Sequence, residues 1–224
     1  MTDLTLRGGP GARVDAETEV KRSRFLCRLV RVSDEEEARA AVEQARKEHH
    51  SARHHCSAFV LGGSGEPGQV RRSNDDGEPS GTAGAPMLEA LTGRGLIDCV
   101  AVVTRYFGGV LLGAGGLVRA YSDAVLAAVD AAAADALLVA RERRDLFSVA
   151  LPHADAGRVE AELRRHAGVV VLDTTYAERA VLRLAGDGGE LESLVAAATA
   201  GAGEVVPLGH EWVDVETTGP SERM

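Results

Sequence analysis

Two glycine-rich turns flank one strongly apolar segment in the middle of this chain, and they constrain the fold more than any other feature. The first glycine turn, 74–84, contains three acids and three glycines, and the second glycine turn, 108–116, contains five glycines. The segment 99–106 between them is largely apolar. Glycine in place of alanine costs about 0.5–1 kcal/mol in regular structure, so each cluster needs a geometric or functional reason. Such turns gather backbone N–H groups and helix amino ends, which predicts a surface suited to an anionic ligand.

Hydrophobic periodicity predicts alternating strands and helices before residue 140. Ser33 followed by Glu36 is a capping box, and Pro86 is typical of the first turn of a short helix. The glycines and proline of residues 1–14 predict a loose lead-in. The expected elements are one or two strands over 19–32, a helix over 34–49, strands over 55–62 and 97–106, and helices that begin near 86 and 118, the last of them ending near 138.

The remaining sequence predicts a second, regular order of elements. Strands are expected over 146–151, 169–175, 180–184 and 204–215, and helices over 154–166 and 190–200. The order βαββαβ is typical of a split-βαβ, ferredoxin-like sandwich. Residues 141–144, all charged, are expected to form a hinge, and residues 219–224 a frayed tail. We therefore expect an α+β protein of two domains, 15–140 and 141–216.

The composition is that of a globular protein without a general attraction to polyanions. The 224 residues carry a net charge of −9, of which −3 falls in residues 1–140 and −6 in the rest, so an anion-binding face is expected in the first domain. No apolar run reaches the roughly 20 residues of a membrane span, and the polar start Met1-Thr2-Asp3 lacks the apolar segment typical of a signal peptide. We expect a cytoplasmic protein with no membrane partner. Cys27, Cys56 and Cys99 form an odd set without CxxC spacing and are expected to be reduced core thiols.

The second glycine turn matches neither common nucleotide-binding motif. Gly108 and Gly113 have P-loop spacing, but Ala114 and Gly115 stand where lysine and a hydroxyl residue are required. Val118 occupies the third glycine position of a dinucleotide fingerprint. A tight strand-to-helix connection and a general anion-binding nest therefore both remain open.

The acids of the first glycine turn allow two interpretations. Asp75, Asp76 and Glu78 could bind a hard cation or act as general acid and base, which is the chemistry of a metal-dependent hydrolase or transferase acting on a small phosphorylated substrate. They do not match the EF-hand pattern. We favour turn residues whose carboxylates cap their own backbone or pair with Arg71 and Arg72.

The histidines near residue 50 do not predict a metal site or a thiol dyad. His49, His50, His54 and His55 span a change from helix to strand, so their side chains are expected to diverge. His55 and Cys56 are adjacent on a strand and point to opposite faces. We expect no metal ligand here.

Arginines and aromatic residues near the turns predict a binding surface instead. Arg105 and Tyr106 lie at the carboxyl end of a buried strand, where open α/β folds place ligands. Arginine and aromatic side chains suit phosphate and base contacts, although solvated arginines paired with Asp75, Asp76 and Asp123 would give the same pattern. The side chains that could make such contacts are Arg53, Arg71, Arg72, Arg105 and Arg119, with Tyr106 and Phe107. The residues that we expect to form this surface, none of them catalytic and none a metal ligand, are Arg53, His55, Asp75, Asp76, Glu78, Thr82, Gly84, Arg105, Tyr106, Gly108, Gly109, Gly115, Gly116 and Arg119.

Three blocks of this sequence resemble the signature blocks of the IMPACT/YigZ family. They are 52–56, with Arg53, His54, His55 and Cys56; 73–84, the first glycine turn; and 103–121, from the apolar strand through the second glycine turn. The resemblance extends over residues 15–215.

The resemblance implies an amino-terminal domain with the left-handed βαβ fold of the second domain of a small-subunit ribosomal protein, similar to domain four of elongation factor G. It implies a carboxyl-terminal ferredoxin-like domain similar to domain five of that factor. Eukaryotic members regulate translation by competing for the activator of a kinase that phosphorylates initiation factor two, whereas a nucleic-acid or ribosome role of bacterial members is inferred from their folds.

These observations favour a non-catalytic cytosolic protein of translation regulation or stress response. It is expected to bind RNA, the ribosome or a protein partner through its amino-terminal domain, and to need no cofactor. The metal-dependent hydrolase or transferase stays open as the alternative, and a purely structural interaction module is a third.

Overall fold

The computed structural model describes residues 2–215, which fall into two compact units, 2–141 and Glu142–Val215. The first unit contains strands β1 (Leu4–Leu6), β2 (Arg13–Val20), β3 (Ser23–Arg31), β4 (His54–Leu61), β5 (Val70–Asn74) and β6 (Cys99–Tyr106), and helices α1 (Glu35–Glu48), α2 (Gly84–Gly93) and α3 (Ala114–Ala134). The second contains α4 (His153–Leu163), β8 (Val170–Tyr176), β9 (Ala180–Gly186), α5 (Gly188–Thr199) and β10 (Val205–Val215). Strand β7 (Leu138–Leu151) contributes residues to both units. The expected mixed α+β, two-domain fold is confirmed.

The main sheet of the first unit has the order β2-β3-β6-β4-β5, with every neighbouring pair antiparallel. Strand β6 lies at its centre and is buried along nearly its whole length, as its apolar sequence predicts. Because strand side chains alternate between faces, Val100 and Val102 pack against α1 on one face. Phe25 packs edge-to-face on Tyr121 of α3 on the other, with ring centroids 5.2 Å apart.

The N-cap of helix α1 lies one residue after the predicted one, at Asp34 and not at Ser33. Asp34 is the N-cap and accepts the backbone N–H of Glu37 at 2.8 Å, while the Glu37 carboxylate accepts the N–H of Ser33 at 2.7 Å. Asp34 and Glu37 thus take the places predicted for Ser33 and Glu36, but Glu37 accepts from the residue before the N-cap, so only the Asp34 half of the capping box is formed.

The second unit has the strand order β10-β7-β9-β8, which is that of a ferredoxin-like βαββαβ sandwich. Strand β9 is antiparallel to both β7 and β8. Helices α4 and α5 contribute Val159, Leu163, Leu191 and Val195 to a core shared with the sheet.

Two predicted details of the fold are wrong, and one strand was not predicted. The loose lead-in predicted over 1–14 is wrong for residues 2–14, because β1 pairs with the first residues of β7 and buries Leu6, and β2 begins at Arg13. Residues 141–144 are not a hinge but part of β7. Strand β5, exposed at the sheet edge, was not predicted. The predicted tail, 219–224, lies outside the described residues.

No helix among residues 2–215 has the length and apolarity needed to cross a membrane.

Substitution of Gly108 tests the close approach between the segment that follows β6 and the hairpin that joins β2 to β3. A Cβ at Gly108 would overlap the carbonyl group of Arg22. We expect Gly108→Ala to lower the free energy of unfolding by about 2 kcal/mol or more, the upper part of the range for overpacked sites. Chemical denaturation measures this change.

Gly115→Ala is the matched control, because a Cβ there meets nothing within 4 Å and Gly115 lies in the first turn of α3. Its effect should stay within about 1 kcal/mol and favour stability. Equal denaturation midpoints for the two variants would contradict the close approach at Gly108.

Candidate functional site

The first glycine turn is organised around its own carboxylate. Asp75 accepts the backbone N–H groups of Gly81 at 2.8 Å, Ala83 at 3.0 Å and Gly84 at 2.8 Å. Burial acts to raise the pKa of Asp75, but these three donors together hold it below its ordinary value. The anion that occupies this nest of amides, at the start of α2, is therefore the chain's own Asp75.

Gly84 is required by a close approach of two backbone segments. A Cβ at this position would lie 2.8 Å from the backbone nitrogen of Asn74. The turn thus closes back onto the end of β5 and brings its amides around Asp75.

Asp76 ties the turn to β4 and α1. Its carboxylate accepts hydrogen bonds from the Arg46 guanidinium at 2.7 Å and from the backbone N–H of His55 at 2.6 Å. Its backbone carbonyl accepts a hydrogen bond from the Nδ1–H of His54 at 2.9 Å. The expected pairing with Arg71 and Arg72 is not observed for Asp76, because Arg46 of α1 is the arginine that reaches it.

Glu78 forms a buried ion pair with Arg105. The Arg105 guanidinium donates to Glu78 at 2.6 Å, and the Tyr121 hydroxyl donates to the same oxygen at 2.8 Å. The two charged side chains are only 4% and 7% exposed. Glu78 therefore holds the first glycine turn against β6 and α3, and its carboxylate is not open to a substrate.

Cys56 and Tyr121 beside this pair do not form a reactive thiol site. Cys56 Sγ donates to the Asp75 carbonyl at 3.0 Å. Burial raises the pKa of the Cys56 thiol to about 12, and burial also raises the pKa of Tyr121. A thiol with so high a pKa stays protonated near neutral pH and is a poor nucleophile.

The Arg105 guanidinium also contacts two aromatic rings. Its Cζ lies 5.5 Å from the ring centroid of Phe25 and 5.6 Å from that of Phe107. Phe25 is fully buried, whereas Phe107 is 56% exposed. Within residues 2–215, Arg105 Nε has no hydrogen-bond partner. The cation thus lies beneath an aromatic ring whose remaining surface is open to solvent.

The second glycine turn is held by the neighbouring hairpin. The N–H of Gly108 donates to Ser23 Oγ at 3.1 Å, and Gly109 is exposed with φ +84°. Gly113 is the N-cap of α3 and no side chain caps this helix, whose first turn contains Gly115 and Gly116. Of the two predicted amide clusters, the first is filled by Asp75 and the second lies at the surface.

A depression of about 640 Å³ lies at the carboxyl end of β6. We call it the arginine–aromatic depression, and its lining residues are Ser51, Ala52, Arg53, His54, Arg105, Tyr106, Phe107 and Leu111. No acidic side chain is among them. A second depression, of about 550 Å³ between α1 and β5, is lined by both acids and arginines, including Glu35 and Arg39.

The structure brings only part of the predicted surface together. Arg53, Arg105 and Tyr106 line the arginine–aromatic depression. The turn residues Asp75, Glu78, Thr82 and Gly84 are bonded within the protein, Thr82 through a hydrogen bond to the Pro79 carbonyl. The remaining predicted residues that do not line the depression are His55, Asp76, Gly108, Gly109, Gly115, Gly116 and Arg119.

His55 and Cys56 point to opposite faces of the sheet, as predicted from their adjacency. His55 pairs in register with Thr104 and Cys56 with Val103. Burial lowers the pKa of His55, and its Nε2 lacks a hydrogen-bond partner in the described chain. No group of three metal-ligating side chains occurs within residues 2–215.

Phe107 was predicted, beside Tyr106, as a base-stacking residue, but sequence reasoning did not assign three other residues that matter here: His54, Leu111 and Tyr121. His54 lies directly opposite Arg105 in the sheet register, so strand pairing between β4 and β6 would have identified it. Tyr121 is spaced as a core residue of α3, and its bond to Glu78 joins residues 43 positions apart. Only the tertiary fold reveals that contact.

These features define a two-domain α+β protein whose amino-terminal domain carries a depression without an acidic side chain in its lining. Residues 21–129 match the family model of the Impact N-terminal domain. Residues 149–201 match the model of a domain of unknown function, DUF1949. The chain belongs to the IMPACT family.

Named relatives agree with this assignment. The chain is 45% identical over 148 residues to IMPACT family member YvyE of Bacillus subtilis, which is 66% of this chain and 65% of that protein. It is 51% identical over 116 residues to IMPACT family member YigZ of Escherichia coli, which is 52% of this chain and 56% of that protein. The chain thus spans less than two thirds of these two relatives. It is 40% identical over 150 residues to an IMPACT family member in the pol 5'region of Thermus thermophilus, covering 66% of this chain and 75% of that protein.

A solved crystal structure of a hypothetical protein shares the fold over 94% of this chain and all of that chain, with 33% identity and a TM-score of 0.57. A structure described as the two-domain translational regulator Yih1 covers 55% of this chain and 46% of that chain at 27% identity. Its TM-score of 0.35 is too low to support a structural argument.

Replacing one member of the buried ion pair should destabilise the protein more than replacing both members together. We expect Glu78→Leu and Arg105→Met each to lower the free energy of unfolding by about 3–5 kcal/mol, because each leaves one buried charge unpaired. The double variant should lose less than the sum of the two single losses. Urea denaturation of the three variants measures this coupling.

Arg39→Ala is the control for a solvated pair, since Arg39 and Glu35 form an exposed i,i+4 ion pair. Its cost should not exceed about 0.5 kcal/mol. If Glu78→Leu and Arg105→Met lowered the free energy of unfolding by no more than this, the predicted cost of an unpaired buried charge would be wrong.

Asp75→Asn tests the capping carboxylate through pH. The pKa of Asp75 is lowered in the folded state, so its stabilising effect is present above its unfolded value, about 3.9, and is lost as the pH falls through the lower folded value. We expect the variant to be less stable than the parent at neutral pH, and the difference to shrink in acid below that window.

Thermal unfolding across this range measures the difference. Glu89→Gln is the control, because it removes an exposed carboxylate of α2 and leaves the Asp75 cap in place. A stability gap for Asp75→Asn that is independent of pH would rule out the carboxylate as the cap.

Proposed function

We propose that this protein is a non-catalytic component of translation regulation that binds single-stranded RNA through its amino-terminal domain. The observation that carries the proposal is the arginine–aromatic depression, in which Arg53 and exposed Phe107 meet without an acidic neighbour in the lining. Positive side chains that follow a backbone and aromatic rings that stack on bases are the two components of sequence-tolerant single-strand binding.

The distribution of charge supports this local site despite the net charge of −9. The acids of the first glycine turn nearest the depression have arginine partners within the protein, since Glu78 pairs with Arg105 and Asp76 with Arg46, which also pairs with Glu43. Glu17 similarly pairs with Arg24, whose guanidinium lies 5.8 Å from the ring centroid of Tyr106. A phosphate at the depression therefore meets arginine rather than a free carboxylate.

Family membership supports the assignment to translation. The resemblance of the two domains to ribosomal-protein and elongation-factor domains implies an RNA-rich environment, and eukaryotic members of the family regulate initiation. The fold alone does not define a ligand, so the proposal depends on the depression.

The geometry favours binding over the alternative of hydrolysis or group transfer. A general base or metal ligand must be free to meet its substrate. Asp75 caps three amides, Asp76 binds Arg46 and the His55 N–H, and Glu78 is buried against Arg105. All three carboxylates have structural partners.

Fluorescence anisotropy with a labelled, unstructured RNA oligonucleotide tests the proposal. We expect a dissociation constant tighter than about 10⁻⁴ M, the weak end of non-specific binding, and weaker binding as salt rises from about 50 to about 200 mM. The double variant Arg53→Ala, Phe107→Ala should lose most of the signal. Arg105 is unsuited to this test because its removal would leave Glu78 unpaired.

The matched control is the double variant Arg158→Ala, Tyr176→Ala, which removes one exposed arginine and one exposed aromatic residue from the carboxyl-terminal unit. It should bind RNA as the parent does. Equal loss in both double variants, or no binding by the parent, would overturn the proposal. Capture of ribosomal proteins that persists after nuclease treatment, without RNA binding, would assign the surface to a protein partner.

A further inference from the structure

We infer that the arginine–aromatic depression holds a single phosphate-bearing nucleotide, with the base stacked on Phe107 and the phosphate next to Arg53. The inference rests on the proposed RNA binding and specifies the unit that the site accepts. The same chemistry is offered by a nucleotide within a single strand and by a free mononucleotide, which the experiment separates.

Phe107 differs from an ordinary exposed aromatic residue because it is held in place by a buried cation. The Arg105 guanidinium lies 5.6 Å from its ring centroid, and Glu78 and Phe25 in turn fix that guanidinium. With 56% of Phe107 exposed, the ring surface that does not face Arg105 is available to a ligand. A platform that is fixed before binding loses little side-chain entropy when a base stacks on it.

Arg53 supplies the part of the site that suits phosphate. It is exposed, immediately precedes β4 and lines the depression. His54 donates its Nδ1–H to the Asp76 carbonyl, so Nε2 of the neutral ring is an acceptor and does not donate to a phosphate. The Tyr106 hydroxyl is already hydrogen bonded to His49 at 3.1 Å. Arginine with its planar fork of donors is therefore the principal phosphate contact.

The dimensions of the depression favour one nucleotide over a helical duplex. Its volume of about 640 Å³ lies within the range of about 300–1,000 Å³ that is common for small-ligand sites. Exposed Leu111 forms part of the wall and adds apolar surface beside Phe107. Stacking requires an unpaired base, because the faces of bases in a duplex are covered by their neighbours.

Calorimetry with adenosine 5′-monophosphate, adenosine and inorganic phosphate tests the inference on the full chain. We expect the monophosphate to bind more tightly than either fragment and to displace the labelled RNA. Phe107→Ala should weaken binding of the monophosphate by about 5-fold or more, the lower end of measured stacking losses. Phe107→Trp should retain it.

Arg53→Ala separates the phosphate contact from the base contact. It should weaken the monophosphate and leave adenosine unchanged, and it should reduce the salt slope of RNA binding by about 0.7, the value for one phosphate on a single strand. Arg39→Ala, which removes an arginine from the other depression, should change none of these quantities. Circular dichroism confirms that each variant keeps its fold.

The outcomes distinguish this inference from the proposed function. RNA binding without monophosphate binding, and without an effect of Phe107→Ala, would overturn the nucleotide pocket and leave RNA binding in place. Monophosphate binding without RNA binding would support the pocket as a site for a free nucleotide and overturn the RNA proposal. Absence of both would overturn both, and joint binding with the variant pattern above supports both.

Discussion

The buried ion pair between Glu78 and Arg105 is the interaction on which the arrangement of the site depends. It joins the first glycine turn to the end of β6, and Tyr121 extends the connection to α3 through the same Glu78 oxygen. Burial of two charges costs several kcal/mol per ion in desolvation, so a pair of this kind contributes little net stability relative to apolar residues. Its structural consequence is orientation: the direction of the Arg105 guanidinium is fixed by Glu78, and the exposed ring of Phe107 lies on that guanidinium.

The glycine-rich sequence has a physical explanation that does not require a bound ligand. A nest of amides attracts an anion, and in the first glycine turn that anion is Asp75, eight and nine residues from two of its donors. Gly84 and Gly108 are needed where backbone segments approach closely. A glycine cluster whose sequence predicts an anion-binding site can thus form one that a carboxylate of the same chain occupies. The surface that we propose for a ligand is formed instead by side chains at the carboxyl end of the buried strand and its neighbours.

Periodicity was sufficient to predict the elements whose burial is determined by one clear pattern. The apolar residues of β6 and the acid-rich first turn of α1 predicted both elements to within about two residues, the usual boundary error. Strand β5 was missed because Arg71 to Asn74 are exposed and show no alternation, and the short β1 was hidden by neighbouring glycines. Residues 141–144 were expected to form a hinge because they are charged, but they continue β7, which pairs with β1, β9 and β10. Tertiary pairing overrides local composition in each of these strands.

The candidate site could be predicted in chemistry but not in geometry. Arg53, Arg105 and Tyr106 were identifiable from residue type and position, whereas the separation of Glu78 from solvent depends on contacts across 27 and 43 positions in the chain. The same contacts explain how an acidic protein can present a cationic surface. Glu78 and Asp76 are bound to arginines, so the lining of the depression presents Arg53 and no carboxylate although the net charge is −9. Because long-range attraction is weak in such a protein and is screened beyond about 8–10 Å at ordinary salt, the proposed affinity for a single strand would come mainly from stacking and short-range contacts. A rigid aromatic surface over a fixed cation is the arrangement that meets this requirement.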